Sequence, residues 1–109
     1  MAITYKVLAQ SAPSATTNTD VYTVGAGKQT TISTITIANR GATSTTYRIA
    51  VRPNGATLAN EHYIAYDATV PANDTIALTI GVTCDAADVV TVYASTANLS
   101  VNIFGAEIA

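Results

Sequence analysis

Thr45-Thr46-Tyr47-Arg48-Ile49-Ala50-Val51-Arg52-Pro53-Asn54-Gly55 is the stretch that decides the fold class. In an extended chain successive side chains point to opposite faces, so Tyr47, Ile49 and Val51 share one side and Thr46, Arg48, Ala50 and Arg52 the other. Helical spacing would mix the two sets. Pro53 then fixes φ, while Asn54 and Gly55 tolerate positive φ, so the strand ends in a turn.

The two-residue period recurs on both sides of this strand. Upstream, the segment from Gln29 to Asn39 places Ile35 and Ile37 on one face; Ile32 is out of phase, which predicts either a bulge or a strand covered on both faces. Val21 to Val24 is a short strand ended by Gly25-Ala26-Gly27. At the N-terminus Ile3, Tyr5, Val7 and Ala9 alternate with Thr4, Lys6 and Leu8, and the stretch from Ser11 to Asp20, with Pro13 inside it, is too polar to hold a core. Residues 1–20 therefore read as a strand plus a polar arm or long loop, and residues 21–109 as the body of a single domain. Downstream come the aromatic segment His62 to Asp67, then Ile76, Leu78, Ile80 and Val82 on one buried face, and a turn at Asp85-Ala86-Ala87-Asp88. Two last strands, with Val90, Val92, Leu99, Val101 and Ile103 facing inward, are joined by Ser95-Thr96-Ala97-Asn98.

Seven or eight short strands at this spacing predict an all-β, two-layer antiparallel β-sandwich. Both a jelly roll and an immunoglobulin-like order satisfy the pattern, because periodicity does not encode strand pairing.

Composition narrows function as well as fold. A chain of 109 residues supports one core, and only 11% of its residues are charged, against about 25% in ordinary domains. A surface so poor in charge and rich in Thr and Ser suits coverage by neighbours in an assembly. With a net charge of −2 there is no basic stripe for nucleic acid. No apolar run is long enough for a membrane span, and the first ten residues lack a secretory pattern, so the expected place of synthesis is cytosolic. The single cysteine, Cys84, cannot form an internal disulfide.

Residues able to carry chemistry are few. His62 is the only histidine, and Glu61 beside it points the other way along a strand, so the pair does not start a metal site. Cys84 has no Lys or Arg nearby in sequence and reads as a residue at the core margin. Asp85 and Asp88 read as a turn that bonds its own backbone, not as a calcium loop. Gly25-Ala26-Gly27-Lys28 lacks the spacing of a phosphate loop. No catalytic set, no metal site and no cofactor is implied. The candidate sites are instead interface residues: Arg48 and Arg52 on one strand face, with Arg40 near them, suited to carboxylates of a neighbouring protein, and Tyr63 with Tyr66, suited to a protein or sugar contact.

Several runs carry a resemblance. They are Thr17-Asn18-Thr19-Asp20-Val21-Tyr22-Thr23-Val24, Asn39-Arg40-Gly41-Ala42-Thr43, Arg48-Ile49-Ala50-Val51-Arg52-Pro53, His62-Tyr63-Ile64-Ala65-Tyr66-Asp67 and Asn102-Ile103-Phe104-Gly105-Ala106-Glu107-Ile108. Together they resemble small structural virion proteins of tailed bacteriophages, including cyanophages, over nearly the whole chain. One departure is Gly25, where the similar proteins carry Pro before Ala-Gly. The resemblance implies a non-enzymatic protein made in the host cytoplasm and carried on the virion. Its expected role is a capsid decoration or cement protein bound to the major capsid protein or other virion proteins, as a homo-oligomer with a trimer favoured. The alternative is a neck, tail, baseplate or fibre component that recognises a host glycan.

Overall fold

The computed structural model describes residues 2–109, and within them lie nine β-strands and no α-helix. They are β1 (Ile3–Ser11), β2 (Thr19–Thr23), β3 (Gln29–Asn39), β4 (Thr45–Arg52), β5 (Tyr63–Val70), β6 (Thr75–Leu78), β7 (Val82–Cys84), β8 (Val89–Ala94) and β9 (Leu99–Ile108). The extra strand beyond the expected seven or eight comes from an interruption. Gly81, at φ +63, breaks the run from Ile76 to Val82, leaves Ile80 exposed, and divides one strand position into β6 and β7, both paired with β3. The continuous buried face expected there is thus corrected to two short half-buried segments.

Two antiparallel sheets face each other, one in the order β1-β9-β3-β6 with β7 also on β3, the other β2-β8-β4-β5. The order is that of one long hairpin rolled up. Its two legs pair as β1·β9, β2·β8, β3·β6/β7 and β4·β5, and rolling adds the contacts β9·β3 and β8·β4. This is the jelly roll, so strand pairing decides between the two orders left open by periodicity.

The core lies between the sheets, where Ile32, Ile35, Ile37, Ile49, Val90, Val92, Leu99, Val101 and Ile103 are almost wholly buried. Complete burial of each such side chain contributes roughly 1.5–3 kcal/mol before chain entropy is counted. Ile32 joins Ile35 and Ile37 because the β3·β9 register shifts between Ile32 and Thr34, so the out-of-phase position is a bulge. Gly105 sits opposite Ile32 at this irregularity, and a Cβ there would collide with the Thr31 carbonyl oxygen.

A second bulge changes the face of β1. The β1·β9 register shifts between Val7 and Ala9, so Leu8 and Ala9 pack on the core while Ile3, Tyr5 and Val7 lie exposed. The single face expected for Ile3, Tyr5, Val7 and Ala9 is therefore split. The polar stretch after β1 crosses from one sheet to the other along the body: Pro13 is buried, the Thr16 N–H donates to the Ala94 carbonyl at 2.7 Å, and Thr19 and Asp20 already belong to β2.

Candidate functional site

Three polar clusters and one apolar row stand out on this frame. The first cluster lies on the outer face of the β2-β8-β4-β5 sheet, where Arg48 of β4 is directly opposite Tyr93 of β8. On its other side, β5 sets two residues against one. Tyr47 pairs with Ala68 and Ile49 with Ala65, so Tyr66 and Asp67 both oppose Arg48. Asp67 adopts φ +50, a left-handed conformation that Asp tolerates better than most residues. The bulge thus sends two consecutive side chains to one guanidinium. Arg48 Nε donates to Asp67 Oδ1 at 2.7 Å, and the guanidinium lies 4.3 Å from the Tyr66 ring centroid and 4.4 Å from that of Tyr93. Its pKa is raised, first by the hydrogen bond to Asp67. Tyr63 meets Tyr66 edge to face at 4.9 Å, and with Asn60 they line a surface hollow of about 500 Å³.

Arg52, four residues along the same strand face, has a different task. Its NH2 group donates to both oxygens of Asp20 at 3.0 Å, Nε donates to Thr91 Oγ1 at 3.1 Å, and NH1 donates to the Gly55 and Ala56 carbonyls at 3.2 and 2.8 Å. One side chain thereby ties β2, β8 and the turn after β4 together. Arg40 is not near either residue's partners. It belongs to the loops at the opposite end, where its NH2 group donates to the Ala97 carbonyl at 2.9 Å. Among the described residues it is the one Lys or Arg without a carboxylate partner.

Of the three arginines expected together, Arg48 and Arg52 share one face of β4 as the alternation required, Arg40 lies apart from them, and Arg48 and Arg52 already hold carboxylates of their own chain. Tyr63 and Tyr66 are brought together. The sequence reading missed Tyr93, Asp67 and Asn60 in this cluster. Strand pairing places Tyr93, and a positive φ places Asp67; neither leaves a mark in the alternation.

A second cluster joins the two sheets. The Tyr22 hydroxyl of β2 donates to Glu107 Oε2 at 2.7 Å and lies 2.8 Å from Thr30 Oγ1, while Glu107 Oε1 is 3.1 Å from Lys6 Nζ and 3.8 Å from Lys28 Nζ. Burial pushes the Tyr22 phenol up to about 12, and the hydrogen bonds from Tyr22 and Lys6 lower the Glu107 pKa.

The third cluster is the turn before β8. Asp88 accepts hydrogen bonds from the N–H groups of Asn54 and Asp85, and Asp85 accepts one from that of Ala86, so both carboxylates serve the backbone as the sequence indicated. His62 Nδ1 likewise accepts from the Ala59 N–H at 3.0 Å. Cys84 is buried at the end of β7, and burial raises its thiol pKa. Among the described residues no group of three or more His, Cys, Asp or Glu side chains is placed to hold a metal ion, and no helix is long and apolar enough to cross a membrane.

The apolar row is the feature that the charges concealed. Strand β1 is the last strand of its sheet, and on it Ile3, Tyr5 and Val7 are 51%, 82% and 46% exposed. They stand beside Ile108, Ala106 and Phe104 of β9, their register partners. Tyr5, Val7, Phe104 and Ala106 line a groove of about 520 Å³.

Comparison with family models, curated proteins and solved structures gives no match.

Proposed function

We propose that this chain is a non-enzymatic structural protein of a tailed-phage particle, acting as a capsid decoration or cement protein that stabilises neighbouring subunits. The observation that carries this reading is the exposed row Ile3, Tyr5 and Val7 on an edge strand whose far side pairs with no strand among the described residues. Edge strands with apolar side chains pair readily with other chains, and proteins that remain alone commonly blunt them with charge or proline. Here the one Lys of β1, Lys6, lies on the other face of the strand from the row and is drawn to Glu107. Three further points support the reading: the resemblance to virion proteins, the low charge of the surface, and a jelly-roll order, used in viral shells and in lectins. The last is an analogy of fold. Strand addition fits β1 better than the polar stretch Ser11 to Asp20, which lies along its own body.

The second reading, a tail or baseplate module that recognises a host glycan, is favoured by the Tyr63, Tyr66 and Asn60 hollow. Antibody labelling of intact particles in the electron microscope separates the two. Label over the head supports a decoration role, whereas label confined to the tail, with glycan-array binding lost in Tyr66→Ala, supports the second. Absence of the protein from particles overturns both.

A further inference from the structure

We infer that β1 is a two-fold contact, and that the partner which completes it is the β1 strand of a second copy of this chain. The inference deepens the assembly reading above by naming a partner.

The backbone groups of β1 point alternately toward β9 and toward the open edge. Ala2 and Ala109 exchange both hydrogen bonds, the Ala2 N–H donating to the Ala109 carbonyl at 3.0 Å and the Ala109 N–H to the Ala2 carbonyl at 2.9 Å. In an antiparallel ladder such pairs alternate with pairs that exchange none. The register then continues without a shift through Ile3↔Ile108, Thr4↔Glu107, Tyr5↔Ala106, Lys6↔Gly105 and Val7↔Phe104. Thr4 and Lys6 therefore turn their N–H and C=O groups toward β9. Ile3 and Tyr5 turn theirs to the open edge, with Val7 last in the series before the bulge.

A second β1 laid antiparallel on this edge about a two-fold axis at Tyr5 sets Tyr5 against Tyr5, Ile3 against Val7, and Thr4 against Lys6. The residues that aim backbone groups outward then face each other as hydrogen-bonded pairs. The same residues carry the apolar row, so Ile3–Val7 and Tyr5–Tyr5 contacts form on one face of the joined sheet. A two-fold at Ile3 or Val7 would shorten the overlap or run it into the bulge at Leu8. Charge agrees as well: no like charges sit opposite one another, because Lys6 faces Thr4 and is held by Glu107 of its own chain. The contact is isologous, and closes on itself as a dimer. It replaces the three-fold arrangement implied by the resemblance with a two-fold one, and it leaves the Tyr66 face free for a different partner.

Register-specific cross-linking tests the inference. Tyr5 is so exposed that Tyr5→Cys and Thr4→Cys should both fold, which thermal melts check; buried Cys84 is common to both. Under mild oxidation Tyr5→Cys should give at least about tenfold more covalent dimer than Thr4→Cys, because only residue 5 meets its own copy at a distance that a disulfide spans. Mixing Ile3→Cys with Val7→Cys should yield a heterodimer that neither yields alone. Equal cross-linking at positions 4 and 5, or wild-type protein that sediments as a monomer at every concentration, would overturn it. Dimers of a protein absent from particles would sink the virion reading and leave this one standing.

Discussion

Strands β1 and β4 both present an alternating outward face, yet β4 keeps its polar groups occupied within the chain and β1 leaves its face open. On β4, Arg48 lies between Tyr66 and Tyr93 with Asp67 at its Nε, and Arg52 holds Asp20, Thr91 and two carbonyls. On β1, Ile3, Tyr5 and Val7 lie exposed, and among the described residues no strand pairs with the edge toward which the backbone groups of Ile3 and Tyr5 point. Charge draws attention in a sequence, but a guanidinium that has found carboxylate and carbonyl partners has little left to offer a neighbour. Apolar area on an open sheet edge has everything left to offer.

The severest way to break the β1 side is through the strand that supports it. Gly105→Ala should destabilise the fold by about 3 kcal/mol or more, since backbone must move to relieve the clash with Thr31 and the pairing beside β1 shifts with it. Urea denaturation measures this, and a loss below about 1 kcal/mol would mean the bulge relaxes freely.

On the β4 side, Arg52→Ala should cost about 2 kcal/mol, because Asp20 and Thr91 lose a common charged partner at a mostly covered position. Arg48→Ala should cost less in the same titration, its guanidinium being more exposed than that of Arg52 and bonded to Asp67 alone. A reversed order would place the weight of the sheet on the aromatic cluster instead of the clamp.

Two groups near the β1 edge give a pH signature. Tyr22 has its pKa raised to about 12 from 10, chiefly by burial, so the stability it contributes is complete below pH 10 and is lost as pH rises through 12. Glu107 has its pKa lowered, first by the Tyr22 hydroxyl and then by Lys6, so its contribution is present above the ordinary glutamate range and is lost as pH falls through the lowered value. Tyr22→Phe should flatten the alkaline limb and lessen the acid one, which melts between pH 2 and 12 would record. Unchanged limbs would show that the cross-sheet tie carries no weight.

The sequence made the β-sandwich legible because two-residue alternation is a direct consequence of pleating, and Tyr47, Ile49, Val90, Val92, Leu99, Val101 and Ile103 are buried as that pattern required. It also flagged Ile32 as a bulge or a doubly covered strand, and the shift before Thr34 decides for the bulge. Strand order was not legible, since the rolled hairpin is set by pairings distant in sequence. The candidate site was half legible. Tyr63 and Tyr66 lie close in sequence and in space, whereas Tyr93 reaches Arg48 only through the β4·β8 register. The open row on β1 was hidden by the bulge at Leu8, which turns Ala9 inward and leaves Ile3, Tyr5 and Val7 outside.

Amide hydrogen exchange at β1 tests the central claim that this edge is the assembly surface. In dilute protein the Ile3 and Tyr5 amides should exchange quickly while Thr4 and Lys6, bonded to β9, exchange slowly; in the assembled state all four should be slow. Ile3 and Tyr5 amides that exchange equally fast in dilute and assembled protein would contradict it.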